Sequence, residues 1–225
     1  MNNISKNLYL IEDKINKACN LYHRKRKDIN LICVSKTISS DKIIAAIKKN
    51  YLNFGENYIN ESCEKWPEIK EKFPQTKLHF IGHLQSNKAK IAVKLFDFIH
   101  SIDSKKLAKE IAKESIKQNK KIQCFIQVNI GQEPQKSGIA IDEITDFLKF
   151  CQQECQLNII GLMCIPPSNE LAAPYFALLA KIAKKHDLAK LSMGMTSDFD
   201  QAIALGATHI RIGTAIFGPR QNSSN

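Results

Sequence analysis

The sequence predicts an α/β protein whose single domain, residues 1–225, is a (β/α)8 TIM-type barrel with an extra N-terminal helix. Short runs rich in isoleucine, valine and phenylalanine alternate with longer stretches of helical period, and about eight such runs occur. Strands that alternate with helices form parallel sheets, and eight in a row suggest closure into a barrel. The length of 225 residues, 44% of them hydrophobic, suits one core rather than two. An open, doubly wound sheet is the competing architecture.

The first predicted helix covers residues 5–27, where Leu8, Ile11 and Ile15 recur at three- and four-residue steps. It precedes the first strand, the apolar run 31–35, and is therefore an addition to the barrel. Further strands begin near Asn53, Leu78, Asp97, Gln123, Leu157, Lys190 and His209, and further helices end near 49 or span 57–71, 87–94, 104–118, 141–155, 172–185 and 198–205. We expect an ordered core at about 5–220 and a polar tail at 221–225.

Cysteine usage and the N-terminal sequence predict a cytoplasmic protein. The seven cysteines are odd in number and scattered, and no C-x-x-C pair occurs, so we expect reduced thiols used as small core residues. The first twenty residues are polar and periodic and lack the apolar core of a signal peptide. No stretch resembles a membrane span, so we expect no membrane contact.

The net charge of +11 is concentrated in the first half of the chain. Residues 1–120 hold 24 lysines and arginines against 13 acidic residues, whereas the remainder holds 9 of each. Such an excess could attract nucleic acid or another polyanion. The lysines alternate with apolar helix positions rather than with stacking aromatics, so we favour a solvated lysine-rich surface and expect no nucleic-acid partner.

Lys36 directly follows the first strand, at the end of a parallel barrel where ligands bind. An ammonium group there faces the barrel mouth or the core rather than open solvent. Partial desolvation favours the neutral amine, which is the form that condenses with aldehydes to give imines. The alternative is a strand-end lysine that extends its charge into water.

Two loops near the C-terminus predict a phosphate site. The segments 192–198 and 211–218 are small-residue turns that open onto helices, and their backbone N–H groups and threonine hydroxyls suit an anion. They follow the seventh and eighth strands, where many such barrels bind phosphate. Ordinary helix capping by Thr196 and Thr214 is the alternative. A phosphate site that faces a strand-end lysine suggests pyridoxal 5′-phosphate (PLP).

Other polar residues at strand ends are weaker candidates. Arg211 lies inside the eighth strand, where a buried guanidinium needs a partner, and an ion pair is one possibility. His79 and His83 bracket the end of the third strand, and Asn57 ends the second. No Cys/His metal-binding set, P-loop, G-x-S-x-G or G-x-G-x-x-G motif occurs, which argues against nucleotide hydrolysis and NAD chemistry.

Five segments in order along the chain resemble the pyridoxal phosphate homeostasis protein family of the YggS/PROSC type. They are VSKT (34–37), FGENY (54–58), HFIGHLQSNK (79–88), SMGM (192–195) and RIGTAIFG (211–218). The resemblance covers roughly residues 5–220 and implies a barrel like the N-terminal domain of alanine racemase. Two departures are Thr196, where serine is expected, and Leu78, where tryptophan is common.

The resemblance also implies a cofactor and the residues that hold it. Lys36 of VSKT would carry PLP as a covalent Schiff base, and Asn57 of FGENY would lie near the cofactor ring. Thr196 would bind the phosphate together with Gly213 and Thr214 of RIGTAIFG. Arg211 would face the pyridine nitrogen. The segment 132–138 resembles the family's flexible loop after the fifth strand.

The function that the resemblance implies is PLP homeostasis rather than substantial catalysis. The protein would limit free PLP in the cytosol, affect amino-acid and keto-acid balance and transfer the cofactor to apo PLP-dependent enzymes, as a monomer. A cation at the pyridine nitrogen disfavours ring protonation and makes the cofactor a poorer electron sink. Two alternatives are a racemase-like enzyme with Lys36 as its base and an aldolase-type Schiff-base barrel without PLP. A nucleic-acid module is a distant further alternative.

Overall fold

The computed structural model describes residues 3–219 and contains a closed barrel of eight parallel strands in the order of the chain. The eighth strand pairs in parallel with the first, from Asn30 opposite His209 to Cys33 opposite Ile212. This pairing closes the sheet and excludes the open, doubly wound alternative. The predicted fold class is therefore confirmed, while the predicted tail at 221–225 lies outside the described residues.

Strands and helices alternate as the hydrophobic pattern predicts. The strands are β1 Asn30–Val34, β2 Asn53–Glu56, β3 Lys77–Phe80, β4 Phe98–Ile102, β5 Gln123–Gln127, β6 Asn158–Met163, β7 Lys190–Ser192 and β8 His209–Ile212. The helices are α1 Asn3–Leu21, α2 Ser40–Ile47, α3 Ile59–Lys72, α4 Ala89–Leu95, α5 Lys105–Lys117, α6 Ile144–Lys149, α7 Ala172–Lys185, α8 Phe199–Ala204 and α9 Thr214–Phe217.

Helix α1 is the addition to the barrel, and it packs against α2, α8 and α9. Its buried face includes Leu8, Ile11 and Ile15, as the periodicity predicts. Helix α9 has only four residues, so it is too short to cover the seam between β8 and β1. We infer that α1 supplies the apolar cover that a longer eighth helix would give.

Two helix boundaries differ from the prediction. Helix α1 ends at Leu21 rather than at 27, because His23 takes a left-handed conformation with φ of 53°. Arg24 then donates to the carbonyl oxygens of Ile203 and Ala207 at 2.8 and 3.0 Å, at the end of α8. The basic run 24–27 is thus partly structural. The predicted helix 141–155 is divided into α6 and a π-helical turn at Phe150–Glu154.

The cysteines behave as the sequence predicts for small core residues. Six of the seven are buried, Cys63 is exposed, and all seven are free thiols. Burial raises the pKa of the Cys33 and Cys124 thiols, so these groups stay protonated at neutral pH. No helix within residues 3–219 combines the length and the apolarity needed to cross a membrane.

Candidate cofactor site

Lys36 lies two residues beyond β1, at the C-terminal mouth of the barrel, and its side chain is half-buried. The strand register places Val34 beside Gly55 of β2. Gly213 follows β8 on the other side, and a Cβ atom added there would lie 3.3 Å from the side chain of Val34. Lys36 is therefore located between the ends of β2 and β8, which carry Asn57 and Gly213.

The residues on both sides of Lys36 are anchored by carboxylates. The Ser35 hydroxyl donates to Glu56 Oε1 at 2.8 Å, and the Thr37 amide donates to Glu61 Oε1 at 2.6 Å. Thr37 has a φ of 62°, an unusual conformation for a β-branched residue. These contacts fix the turn that presents Lys36.

Lys65 of α3 holds this anchoring network together. Its ammonium lies 2.9 Å from Glu56 Oε1 and 2.6 Å from Glu61 Oε1, and it donates to the Ser35 carbonyl at 2.9 Å. The Trp66 indole also donates to Glu56 Oε1, at 3.0 Å. Burial raises the pKa of Glu56, and the Lys65 ammonium opposes that shift. The network is an ion cluster that contacts the residues on both sides of Lys36.

Asn57 directly follows β2 and has an unsatisfied polar atom. Its side-chain oxygen is buried and has no hydrogen-bond partner among the described residues. A Cβ atom at Gly82 would lie 2.4 Å from the Asn57 carbonyl oxygen, so the loop after β3 approaches closely only because residue 82 is glycine. Buried polar atoms are normally paired, so this oxygen fits a site that is completed by a ligand.

The loop after β7 is a closed turn. Gly194 has a φ of 92°, and the Met195 amide donates to the Asp198 carboxylate at 2.6 Å. Thr196 is exposed at the tip of this turn and lines a groove with Lys14 and Leu21 of α1. The predicted phosphate contact of Thr196 stays a prediction.

Gly213 and Thr214 lie where β8 meets α9, next to the end of β1. The amides of the first helical turn have no partner within the helix, so they are suited to bind an anion. The helix itself has only four residues, so its dipole adds little. An anion there would be bound mainly by local N–H groups and the Thr214 hydroxyl.

Arg211 is 5% exposed and points toward the mouth. Its Nη1 donates to the Ser192 hydroxyl at 2.7 Å, and its Nη2 donates to the Cys164 carbonyl at 2.9 Å. Because Cys164 directly follows β6, the guanidinium reaches the C-terminal edge of the barrel. Within residues 3–219 no carboxylate forms an ion pair with it. The structure therefore does not support the ion-pair alternative. Burial lowers the pKa of Arg211, which stays charged at neutral pH.

A hydrogen-bonded row of side chains continues from Arg211 into the barrel. His100 Nδ1 lies 2.8 Å from the Ser192 hydroxyl, His100 Nε2 lies 3.0 Å from His79 Nδ1, and His79 Nε2 lies 3.1 Å from the Asn53 side-chain oxygen. Both histidines are fully buried, and burial lowers their pKa values well below the usual range. They are therefore neutral at physiological pH.

His83 lies at the rim of the mouth, unlike the buried His79. Its ring is 3.6 Å from the Asp103 carboxylate and 3.4 Å from the Ser137 hydroxyl. Ser137 belongs to the segment 132–138, and the Lys136 ammonium there lies 2.6 Å from Glu133. This segment forms one wall of the mouth, above the ends of β3 and β4.

The structure thus brings Lys36, Asn57, Arg211 and the Gly213–Thr214 turn to one end of the barrel. Two further residues, Ser192 and His100, contact Arg211 directly or through one residue and were not expected from the sequence. A signal was present, because polar residues inside strands of a closed barrel face its interior at alternate positions. Within the described chain, no group of three potential ligands could hold a metal ion.

Comparisons with known proteins agree with this geometry. The family model of the alanine racemase N-terminal domain matches residues 10–221. The solved PipY structure of Synechococcus elongatus with PLP bound is 33% identical, has a TM-score of 0.79 and is matched over 91% of this chain and 100% of that chain. An alanine racemase of Clostridium difficile has a TM-score of 0.72 at 12% identity, over 100% of this chain and 58% of that chain, which shows the fold alone.

A curated relative gives the similarity over its full length. The pyridoxal phosphate homeostasis protein of Haemophilus influenzae is 35% identical over 233 aligned residues, which cover 99% of this chain and 98% of that protein. The corresponding protein of Escherichia coli is 34% identical, with 99% of each chain covered. The chain belongs to the alanine racemase N-terminal domain family and, within it, to the pyridoxal phosphate homeostasis proteins.

Proposed function

We propose that this protein binds PLP through a Schiff base on Lys36 and acts in intracellular PLP homeostasis. The observation that carries the proposal is the convergence of Lys36, Asn57, Arg211 and the Gly213–Thr214 turn at one barrel mouth. The homologous PipY, 33% identical, has been solved with PLP bound. When bound, the cofactor supplies an aldehyde that condenses with the lysine amine and releases one water.

Each residue of the site has a distinct role in this proposal. Lys36 provides the amine, and its turn is fixed by the network of Glu56 and Lys65. Gly213 and Thr214 bind the phosphate with backbone amides and a hydroxyl, and Thr196 adds a second hydroxyl from the neighbouring loop. The side-chain oxygen of Asn57, which lacks a partner in the protein, accepts a hydrogen bond near the cofactor ring. Arg211 donates a hydrogen bond to the ring nitrogen.

The role of Arg211 supports a carrier rather than an efficient enzyme. A guanidinium can only donate hydrogen bonds, so the ring nitrogen opposite it has to accept and stays unprotonated. An unprotonated ring is a poor electron sink for carbanion chemistry. We therefore propose that the protein buffers PLP, transfers it to apo PLP-dependent enzymes as a monomer in the cytoplasm, and so influences amino-acid and keto-acid balance.

The test of this proposal is to map the bound cofactor. The purified protein, loaded with PLP, is expected to show visible absorbance, and borohydride reduction followed by mass spectrometry should find a pyridoxyl group on Lys36. Lys36→Ala should abolish both signals. The control Lys42→Ala, at another half-buried lysine, should preserve them. A modified peptide elsewhere, or none at all, would contradict the proposal.

A racemase-like activity is the alternative that needs a separate measurement. Prolonged incubation of the loaded protein with L-alanine, followed by chiral analysis, should give little D-alanine. Turnover at ordinary enzymatic rates would contradict the carrier function and leave PLP binding intact.

A further inference from the structure

The hydrogen bonds that join Arg211 to the row of polar side chains behind it all run in one direction, from donor to acceptor away from Arg211. Arg211 can only donate, so its bond to the Ser192 hydroxyl oxygen makes Ser192 the acceptor there. The Ser192 hydroxyl hydrogen is then available for His100 Nδ1, 2.8 Å away. His100 Nε2–H in turn donates to His79 Nδ1, and His79 Nε2–H donates to the Asn53 oxygen.

The opposite direction fails at both ends of the row, at Asn53 and at Ser192. If both histidines donated from the other ring nitrogen, Asn53 would have to present its amide nitrogen instead of the oxygen that faces His79. Ser192 would accept from both sides, and its hydroxyl hydrogen would have no acceptor among the residues of the described structure. A single arrangement of hydrogens therefore satisfies every member of the row.

The row replaces the apolar filling that such barrels normally have. Branched aliphatic side chains dominate the interior of most (β/α)8 barrels, and buried polar groups are costly unless all are paired. Here His79 stacks on Phe98 and His100 stacks on Phe125, each with ring centroids 4.2 Å apart, which fixes both rings. A buried, fully paired and sterically fixed network suits a positioning role.

We propose that Ser192, His100, His79 and Asn53 form a relay that orients Arg211 toward the cofactor ring and stabilises its charge without adding a carboxylate. Each side chain of the relay has its accepting atom on the side of Arg211, so the dipoles favour the cation but leave its net charge uncancelled. The inference rests on the proposed PLP binding. The relay side chains do not reach the cofactor, but they set the strength of the hydrogen bond that Arg211 donates to the ring nitrogen.

Paired serine substitutions test the relay. Ser192→Ala removes a fully buried hydroxyl that links Arg211 to His100. Ser101→Ala removes an equally buried hydroxyl of β4, next to His100 in sequence, that has no partner in the described chain. Loss of a hydrogen bond to a charged group predicts about tenfold weaker PLP binding for Ser192→Ala, with a shifted visible absorbance maximum. Ser101→Ala should stay within about twofold of wild type, because it breaks no hydrogen bond.

Ser192→Thr should restore the affinity, since it retains the hydroxyl. Equal affinity and an unchanged spectrum in Ser192→Ala would overturn the relay, provided that the wild-type protein binds PLP. Failure of the wild-type protein itself to bind PLP would instead overturn the proposed function.

The direction of the relay is testable without cofactor. Long-range 1H–15N spectra of the PLP-free protein should show His79 and His100 neutral and protonated on Nε2. The assignments follow from the signals lost in His79→Gln and His100→Gln. Protonation of either ring on Nδ1, or a positively charged ring at neutral pH, would overturn the proposed direction.

Discussion

Two largely buried cations flank the end of β1 at the barrel mouth, and the protein compensates them differently. The Lys65 ammonium on the β2 side contacts two carboxylates, Glu56 and Glu61, within 3 Å. The Arg211 guanidinium on the β8 side contacts only a hydroxyl and a carbonyl oxygen in the described structure. The first charge is cancelled where it stands and stabilises the turn that carries Lys36. The charge of the Arg211 guanidinium is not neutralised by a carboxylate and can therefore act on a bound ligand.

The difference predicts a large loss of unfolding free energy when the Lys65 charge is removed and a small change when the Arg211 charge is removed. Lys65→Met leaves Glu56 and Glu61 without their cation, and breaking a buried pair in this way costs about 3–5 kcal/mol of unfolding free energy. Chemical denaturation of the PLP-free protein measures this loss. The control is Lys72→Met on the same helix, which is exposed and should change stability by less than about 0.5 kcal/mol. Equal stability of the two variants would show that the Lys65 cluster is not structural.

Acid should destabilise the folded protein through the buried histidines behind Arg211. Burial lowers the pKa of His79 and His100, and that of His209 to about 3, whereas an unfolded histidine titrates near pH 6.5. The unfolded chain then binds more protons, so stability is complete above about pH 6.5 and falls as the pH decreases. Three such groups predict a loss of about 3 kcal/mol between pH 6.5 and 5.5.

Glu56 acts in the opposite sense. Its raised pKa means that the folded state binds this proton more readily, so its contribution is largest at low pH and is lost as the pH rises through the shifted value. Denaturation at several pH values separates the two effects, since Glu56→Gln removes only the second. Flat stability between pH 6.5 and 5.5 would show that the three histidines are not held neutral.

Arg211→Met should lower PLP affinity while changing the unfolding free energy much less than Lys65→Met does. Replacing a buried charge by an apolar side chain of similar length removes a desolvation cost along with two hydrogen bonds, so we expect unfolding free energy within about 1 kcal/mol of wild type. PLP affinity should fall more than about tenfold, since a hydrogen bond to a charged group is lost. A variant that loses stability as severely as Lys65→Met would remove the distinction between the two cations.

Local pattern predicted the barrel and much of the mouth. Alternating apolar runs fixed the number and the order of strands, and Lys36 and Gly213 follow directly because they end the first and last of these runs. The early end of α1 was missed, because the left-handed turn at His23 leads to Arg24, which binds carbonyl groups about 180 residues away. Periodicity within a segment carries no information about such a partner.

The relay was missed for a related physical reason. Its contacts join β2, β3, β4, β7 and β8, so they depend on the registers between strands and on barrel closure. His79 alone gives only a buried polar position in a strand, and the residue that it contacts cannot be inferred from neighbours in sequence. Thr196 is a different case, because a motif predicts that its hydroxyl binds phosphate, and the structure shows it exposed in the turn after β7, so that contact stays a prediction.

The seam between β8 and β1 has a consequence for synthesis. Lys36 is synthesised before Arg211 and Gly213, and the Asn7 amide of α1 donates to the carbonyl of Ile216 across 209 positions of sequence. Contacts of such long range form late in folding. A nascent chain therefore carries Lys36 before it has the residues that retain a cofactor, and becomes able to hold one only when the barrel closes.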